Sequence, residues 1–108
     1  MDIYEVITFI FSDGTEEHHY NRMCDPKFLD SFLINTKYAK AKLNRAWYRD
    51  GNLHRDDDLP AVEWFNGNKW WFQDGKRHRD NDLPAVEYHE GSKEWWVNGV
   101  KIRESHTV

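Results

Sequence analysis

The chain is 108 residues long, 31% charged and 16% aromatic, with six Trp and a formal net charge of −4. That length describes one small domain, in which few side chains can be fully buried and large rings must supply much of the core. Acids and bases are interspersed rather than gathered in a tail, which argues against a disordered acidic segment, and the basic cluster of Lys40, Lys42 and Arg45 is too small to make a nucleic-acid surface.

Cys24 has no second cysteine to pair with, so an intramolecular disulfide and a cysteine-based zinc cage are both excluded and a reducing compartment is expected. The opening MDIYEVITFIF carries acids among its first residues and Glu5 within its apolar run, unlike a signal peptide or a membrane span. These features predict a soluble intracellular protein with no membrane attachment.

In chain order, β-branched and aromatic residues on either side of Asp13-Gly14 predict a hairpin with strands near 3–11 and 15–20. An Asp-Gly pair suits a type I′ turn, which needs positive φ at both central positions. Asp25 as N-cap and Pro26 at the first helical position predict an amphipathic helix over roughly 26–35, with Phe28, Leu29, Phe32 and Leu33 on one face. Residues 36–45 alternate like a strand although Ala and Lys favour helix, and strand is the reading adopted. From residue 46 onward only short strands have room, at 47–49, 60–65, 69–73, 84–89 and 94–97. Asp50-Gly51, Asn66-Gly67, Asp74-Gly75, Glu90-Gly91 and Asn98-Gly99 separate them, the glycines supplying positive φ at no steric cost.

Those turns belong to a repeat. Residues 46–69 align with 70–93 without a gap, and 14 of the 24 positions are identical. The identities include Trp47 with Trp71, Gly51 with Gly75, His54 with His78, Arg55 with Arg79, Pro60 with Pro84 and Glu63 with Glu87. A truncated third unit, 94–104, keeps Trp95, Asn98, Gly99 and Arg103 in register. A fixed period of this size means one supersecondary unit copied and stacked. The fold class expected is therefore mainly β, an antiparallel meander of stacked β-hairpin repeats over 46–108, with residues 1–45 forming a hairpin and short helix that cap its first unit.

The stretch WWFQDGKRHRDNDLPAVEYHEG resembles a MORN-type (membrane occupation and recognition nexus) repeat, with Trp71, Asp74, Gly75, Lys76, His78 and Gly91 on its pattern. It is most similar to a variant carried by proteins of large DNA viruses and some bacteria, in which His-Arg-x-Asp-Gly-Pro-Ala replaces His-Gly-x-Gly. It departs from that variant at Leu59 and Leu83, where Gly would be expected. The resemblance covers about residues 46–104. It implies an elongated sheet of stacked hairpins that binds proteins, sometimes lipids, with no chemistry of its own. It also implies a viral source, hence host cytoplasm or virion.

Each candidate site has a structural competitor. His54 and His78 suggest a metal, but equivalent residues of stacked hairpins lie about 9–10 Å apart at 4.8 Å between strands, whereas zinc needs both nitrogens within about 2.1 Å. Each His is instead expected to fix its own loop by bonds to backbone or Asp. Asp56, Asp58, Asp80 and Asp82 are spaced like the start of a calcium loop but lack its sixth-position Gly and twelfth-position Glu. Arg55 with Glu63, and Arg79 with Glu87, are expected to pair across their hairpins. Nothing resembles a nucleophile elbow, a phosphate loop or a His-Glu-x-x-His motif, so no enzyme, metal or cofactor is expected.

The remaining functional candidates are the aromatic columns, Trp47, Trp71 and Trp95 on one face and Tyr48, Phe72 and Trp96 on the other. They predict contact with a protein partner or with a second copy of the chain as a homodimer, since one short helix cannot cover both faces of a sheet. The competing expectations are an inhibitor or antitoxin-like protein that blocks a basic enzyme, and a carbohydrate-binding sheet.

Overall fold

The computed structural model describes residues 2–106. Its first three strands are β1 (Tyr4–Ile10), β2 (Glu16–Asn21) and β3 (Lys42–Arg49). β1 lies between the other two, antiparallel to both, with Ile7 opposite His19 on one side and Arg45 on the other. Along β1, Glu5, Ile7 and Phe9 are buried while Tyr4, Val6, Thr8 and Ile10 are half-buried, so the sheet has one closed face and one open face. The hairpin is the one the sequence predicts, but its turn is not type I′. Only Gly14 has positive φ, because Asp13 turns its carboxylate inward to accept the Thr15 N–H at 2.9 Å and hydroxyl at 2.6 Å.

The helix expected over 26–35 is a single turn, α1 (Asp30–Leu33), and a second turn, α2 (Thr36–Ala39), follows it. Asp25 does accept the Lys27 N–H at 2.9 Å, but only turns follow until residue 30. Asn35 then breaks the helix: its backbone is extended (φ −96°, ψ 126°) and its side chain accepts the Lys37 N–H, starting α2 where a strand was expected. A short polar side chain bonding its own backbone competes with helix continuation, and here it prevails. Phe28, Phe32 and Tyr38 from this segment pack on the closed face, with Phe32 and Tyr38 rings 5.3 and 4.9 Å from Phe9. Burying Phe9 there stabilises the fold by about 1.5–3 kcal/mol.

The repeat region adds β4 (Asn52–Leu53), β5 (Val62–Glu63), β6 (Lys69–Trp70), β7 (Phe72–Gln73), β8 (Lys76–Arg77), β9 (Val86–Glu87), β10 (Lys93–Val97) and β11 (Val100–Ser105). Among the described residues, nine strands form one open antiparallel sheet in the order β11-β10-β9-β6-β5-β3-β1-β2, with β4 paired to β3. β7 and β8 form a separate two-stranded sheet, so the chain does not meander strand by strand. The expected strand 69–73 is split at Trp71, whose N–H bonds the Ala85 carbonyl at 2.7 Å. Asp50, Asp74 and Asn98, each before a glycine of positive φ, are left-handed at 52°, 50° and 49° and close type I′ turns. In the long loops the left-handed residues are Asp57, Asp58, Asn81 and Asp82, residue types that tolerate this region, and they precede Leu59 and Leu83.

The sequence repeat is a structural repeat. The backbone N–H of Asp74 donates to His54 Nδ1 at 3.1 Å, and that of Asn98 donates to His78 Nδ1 at 3.0 Å. A backbone amide can only donate, so Nδ1 is unprotonated and Nε2 carries the hydrogen, directed at Asp56 (2.9 Å) and Asp80 (2.7 Å) respectively. Each histidine thus holds its own loop and grips the turn of the following unit. Pro60 and Pro84 are buried beneath these loops, and their carbonyls accept from Arg55 and Arg79, both at 3.1 Å.

Candidate interaction surface

Strand pairing sorts the side chains into two faces. Trp47 and Trp71 fall on the closed face and are 4% and 6% exposed. Arg55, Arg79 and Arg103 lie over Trp47, Trp71 and Trp95 at 3.5, 3.9 and 4.0 Å, each guanidinium covering its own unit's indole. Arg55 and Arg79 also reach Glu63 and Glu87 at 3.3 and 3.2 Å, the cross-hairpin pairs expected from the sequence. The indole N–H groups of Trp71 and Trp95 donate to the carbonyls of Asp58 and Asp82 in the preceding unit. Arg79 also grips the Asp58 carboxylate with two nitrogens, at 2.8 and 3.2 Å, which holds that carboxyl below its usual range. Burial lowers the pKa of Arg55, opposed by Glu63.

This packing changes the roles of the aromatic columns. Trp47 and Trp71, expected from the sequence as partner contacts, are core residues under an arginine layer, and Phe72 is buried as well at 8% exposure. Trp95, Tyr48 and Trp96 remain half-buried. Gly51, Gly75 and Gly99 sit in the turns that return each unit, as expected.

The accessible aromatic surface lies on the other face, towards its N-terminal half. β2, β1, β3, β5 and β6 curve into a groove of about 850 Å³ floored by Val6, Ala46 and Val62. Tyr4, Tyr20, Tyr48, Trp64, Phe65 and Trp70 wall it. Tyr4 and Tyr48 stack at 5.6 Å, and Trp64 meets Trp70 edge-on at 4.9 Å. Tyr20 is 56% and Phe65 50% exposed. Burial, then Tyr4 and Tyr20, push the Tyr48 phenol pKa up. Thr8 and His18 bond each other at 2.8 Å at the polar end, near Glu16. Of these, Tyr48 is one of the contact candidates expected from the sequence. Tyr4 and Tyr20 could have been found by pairing the period-2 faces of β1 and β2.

His18 and His19 face opposite ways, His18 to the groove and His19 to Phe32 at 4.5 Å. Among the described residues no three His, Cys, Asp or Glu side chains are grouped to hold a metal ion, and no helix is long and apolar enough to cross a membrane.

No family model, curated protein or solved structure matches the chain.

Proposed function

We propose that this chain is a non-catalytic interaction module of the MORN-like hairpin-repeat kind, with the open face as its working surface. The observation that carries the reading is the division of labour between faces. The closed face is filled by the repeat's own Trp, Arg, His and Asp side chains, whereas the open face exposes a concave aromatic wall that the described chain leaves uncovered. Uncovered apolar patches of more than a few hundred Å² are rare on soluble monomers and mark contact sites, and Tyr and Trp are favoured anchors in such contacts. The carboxylates of the repeats are engaged in ion pairs along the stack rather than converging on a cleft, which favours scaffold over catalyst.

A photo-crosslinking amino acid at Tyr20, in the groove, compared with one at Val100, on the far edge strand, tests this in cells of the source. Discrete protein adducts from position 20 that are absent from position 100 are expected. Equal adducts from both positions, or none from position 20, would contradict the proposal.

A further inference from the structure

The geometry points to the chemistry of the partner: the open face is built to receive an acidic side chain of a protein segment, seated between Trp64, Trp70 and Arg77. The inference rests on the reading of that face as an interaction surface and adds what it selects.

Three donors there have no acceptor. The indole nitrogens of Trp64 and Trp70 and Nε of Arg77 are buried and make no hydrogen bond among the described residues. A buried donor left unpaired is costly, so three at one spot demand an explanation. The next unit supplies a comparison, because Tyr88, Glu94, Trp96 and Lys101 stand 24 positions after Trp64, Trp70, Phe72 and Arg77. There Glu94 accepts from the Tyr88 hydroxyl at 2.9 Å and from the Trp96 indole at 2.8 Å. In the central unit Trp70 stands at the position of that glutamate, so Trp64, at the position of Tyr88, lacks the carboxylate that its counterpart bonds. A carboxylate brought by a partner would give Trp64 the acceptor that Glu94 gives Tyr88, with Trp70 and Arg77 as further donors beside it.

Charge supports the same occupant. Arg77 lies over Trp70, Phe72 and Trp96 at 4.7, 5.4 and 5.2 Å, Arg22 lies over Tyr4 and Tyr20 at 5.8 and 5.7 Å, and Lys42 over Phe65 at 4.8 Å. None of the three cations has an acidic partner among the described residues. Glu16, next to His18 at 3.7 Å, is the one carboxylate lining the groove. The groove border is therefore cationic on a chain whose net charge is −4. A second copy of the chain docked groove to groove would set these cations against themselves and bring donors to donors. Nucleic acid would need a longer basic stripe than three side chains on an acidic protein. An acidic segment with flanking apolar residues meets the cations, the orphan donors and the aromatic wall together.

The test pans a display library of random 12-residue peptides on the full chain. The best binder is then titrated into isotope-labelled protein beside its analogue carrying Asn and Gln for Asp and Glu, and beside a ten-nucleotide oligothymidylate. Enrichment of Asp or Glu, shifts of the Trp64 and Trp70 indole N–H signals, and binding weakened at least tenfold both by the amide analogue and by Arg77→Gln are expected. Peptides that shift those indoles without preference for acids would overturn the inference but leave the interaction surface standing. Tighter binding of oligothymidylate, or a light-scattering mass of twice 13.1 kDa with the groove protected, would also overturn it. Failure to recover any peptide that perturbs the groove would remove both readings.

Discussion

His54 Nδ1 accepts the backbone N–H of Asp74, twenty residues later, at 3.1 Å, so a side chain of one unit closes the turn of the next. His54→Ala leaves that amide and the Asp56 carboxylate without their buried partner. The expected loss is about 1–3 kcal/mol, read as a lower urea midpoint with unchanged slope. His78→Ala removes the same bonds to Asn98 and Asp80 from a more exposed place, 16% against 3% at the side chain, and should cost less. Equal losses, or none at His54, would mean that the units are not coupled through the histidine.

Arg79 stacks on Trp71 and bridges Asp58 of the preceding unit to Glu87 of its own. Arg55 stacks on Trp47 and pairs with Glu63 but has no counterpart of the Asp58 pair, because no repeat unit precedes 46–69. Arg79→Ala should therefore destabilise more than Arg55→Ala. A double-mutant cycle of Arg79→Ala with Asp58→Asn should give a coupling of about 1 kcal/mol, limited by the half-exposed Asp58 carboxylate.

Glu17 joins β2 to α2. Its carboxylate accepts from Lys37 at 2.9 Å and from Tyr38 at 2.9 Å, and these bonds, Lys37 first, lower its pKa from 4.5 to about 2. A carboxylate with a depressed folded-state pKa contributes stability that is fully present above 4.5 and lost as pH falls towards 2. Amide signals of residues 36–40 should shift and broaden in that window ahead of the rest of the chain. Glu17→Gln should abolish the pH response; a window unchanged in that variant would assign it to another group.

Gly75 has φ of +84°, and a Cβ placed there would lie 3.3 Å from Asn52 Oδ1. Gly75→Ala should cost about 1–2 kcal/mol from the left-handed backbone, together with the crowding of Asn52. Gly14→Ala, at +87° with open space around it, should cost only the backbone part. Thermal unfolding of the two variants should rank them in that order.

The repeat made much of this legible. His54, Arg55 and Glu63 recur because each closes a contact within the stack, and the loop bonds and hairpin pairs predicted for them are present. The β-branched and aromatic residues around Asp13-Gly14 also located β1 and β2 within about two residues. Two physical facts lay outside such reasoning. Asn35 accepts the Lys37 N–H and starts a helical turn where the alternation of residues 36–45 suggests a strand, and that alternation does not register the competition. Arginine stacking then inverted the reading of the tryptophans: a copied Trp looks like a surface column until Arg55 and Arg79 are seen lying on it. The groove was missed because its wall is assembled from β1, β2, β3 and both strands of a repeat hairpin, residues far apart in sequence and brought together by sheet order. β4, β8 and β11 were missed because two are only two residues long and the third is exposed throughout.

The central claim is that the face of Tyr20 and Phe65, and not that of Trp47 and Trp71, is free for a partner. Hydroxyl-radical footprinting of the chain alone at micromolar concentration, with mass determined by light scattering in the same sample, tests it most directly. The account predicts a 13.1 kDa species in which Tyr20 and Phe65 are oxidised at least tenfold faster than Trp47 and Trp71. Rapid oxidation of Trp47 and Trp71, or protection of Tyr20 and Phe65 in a species of twice that mass, would contradict it.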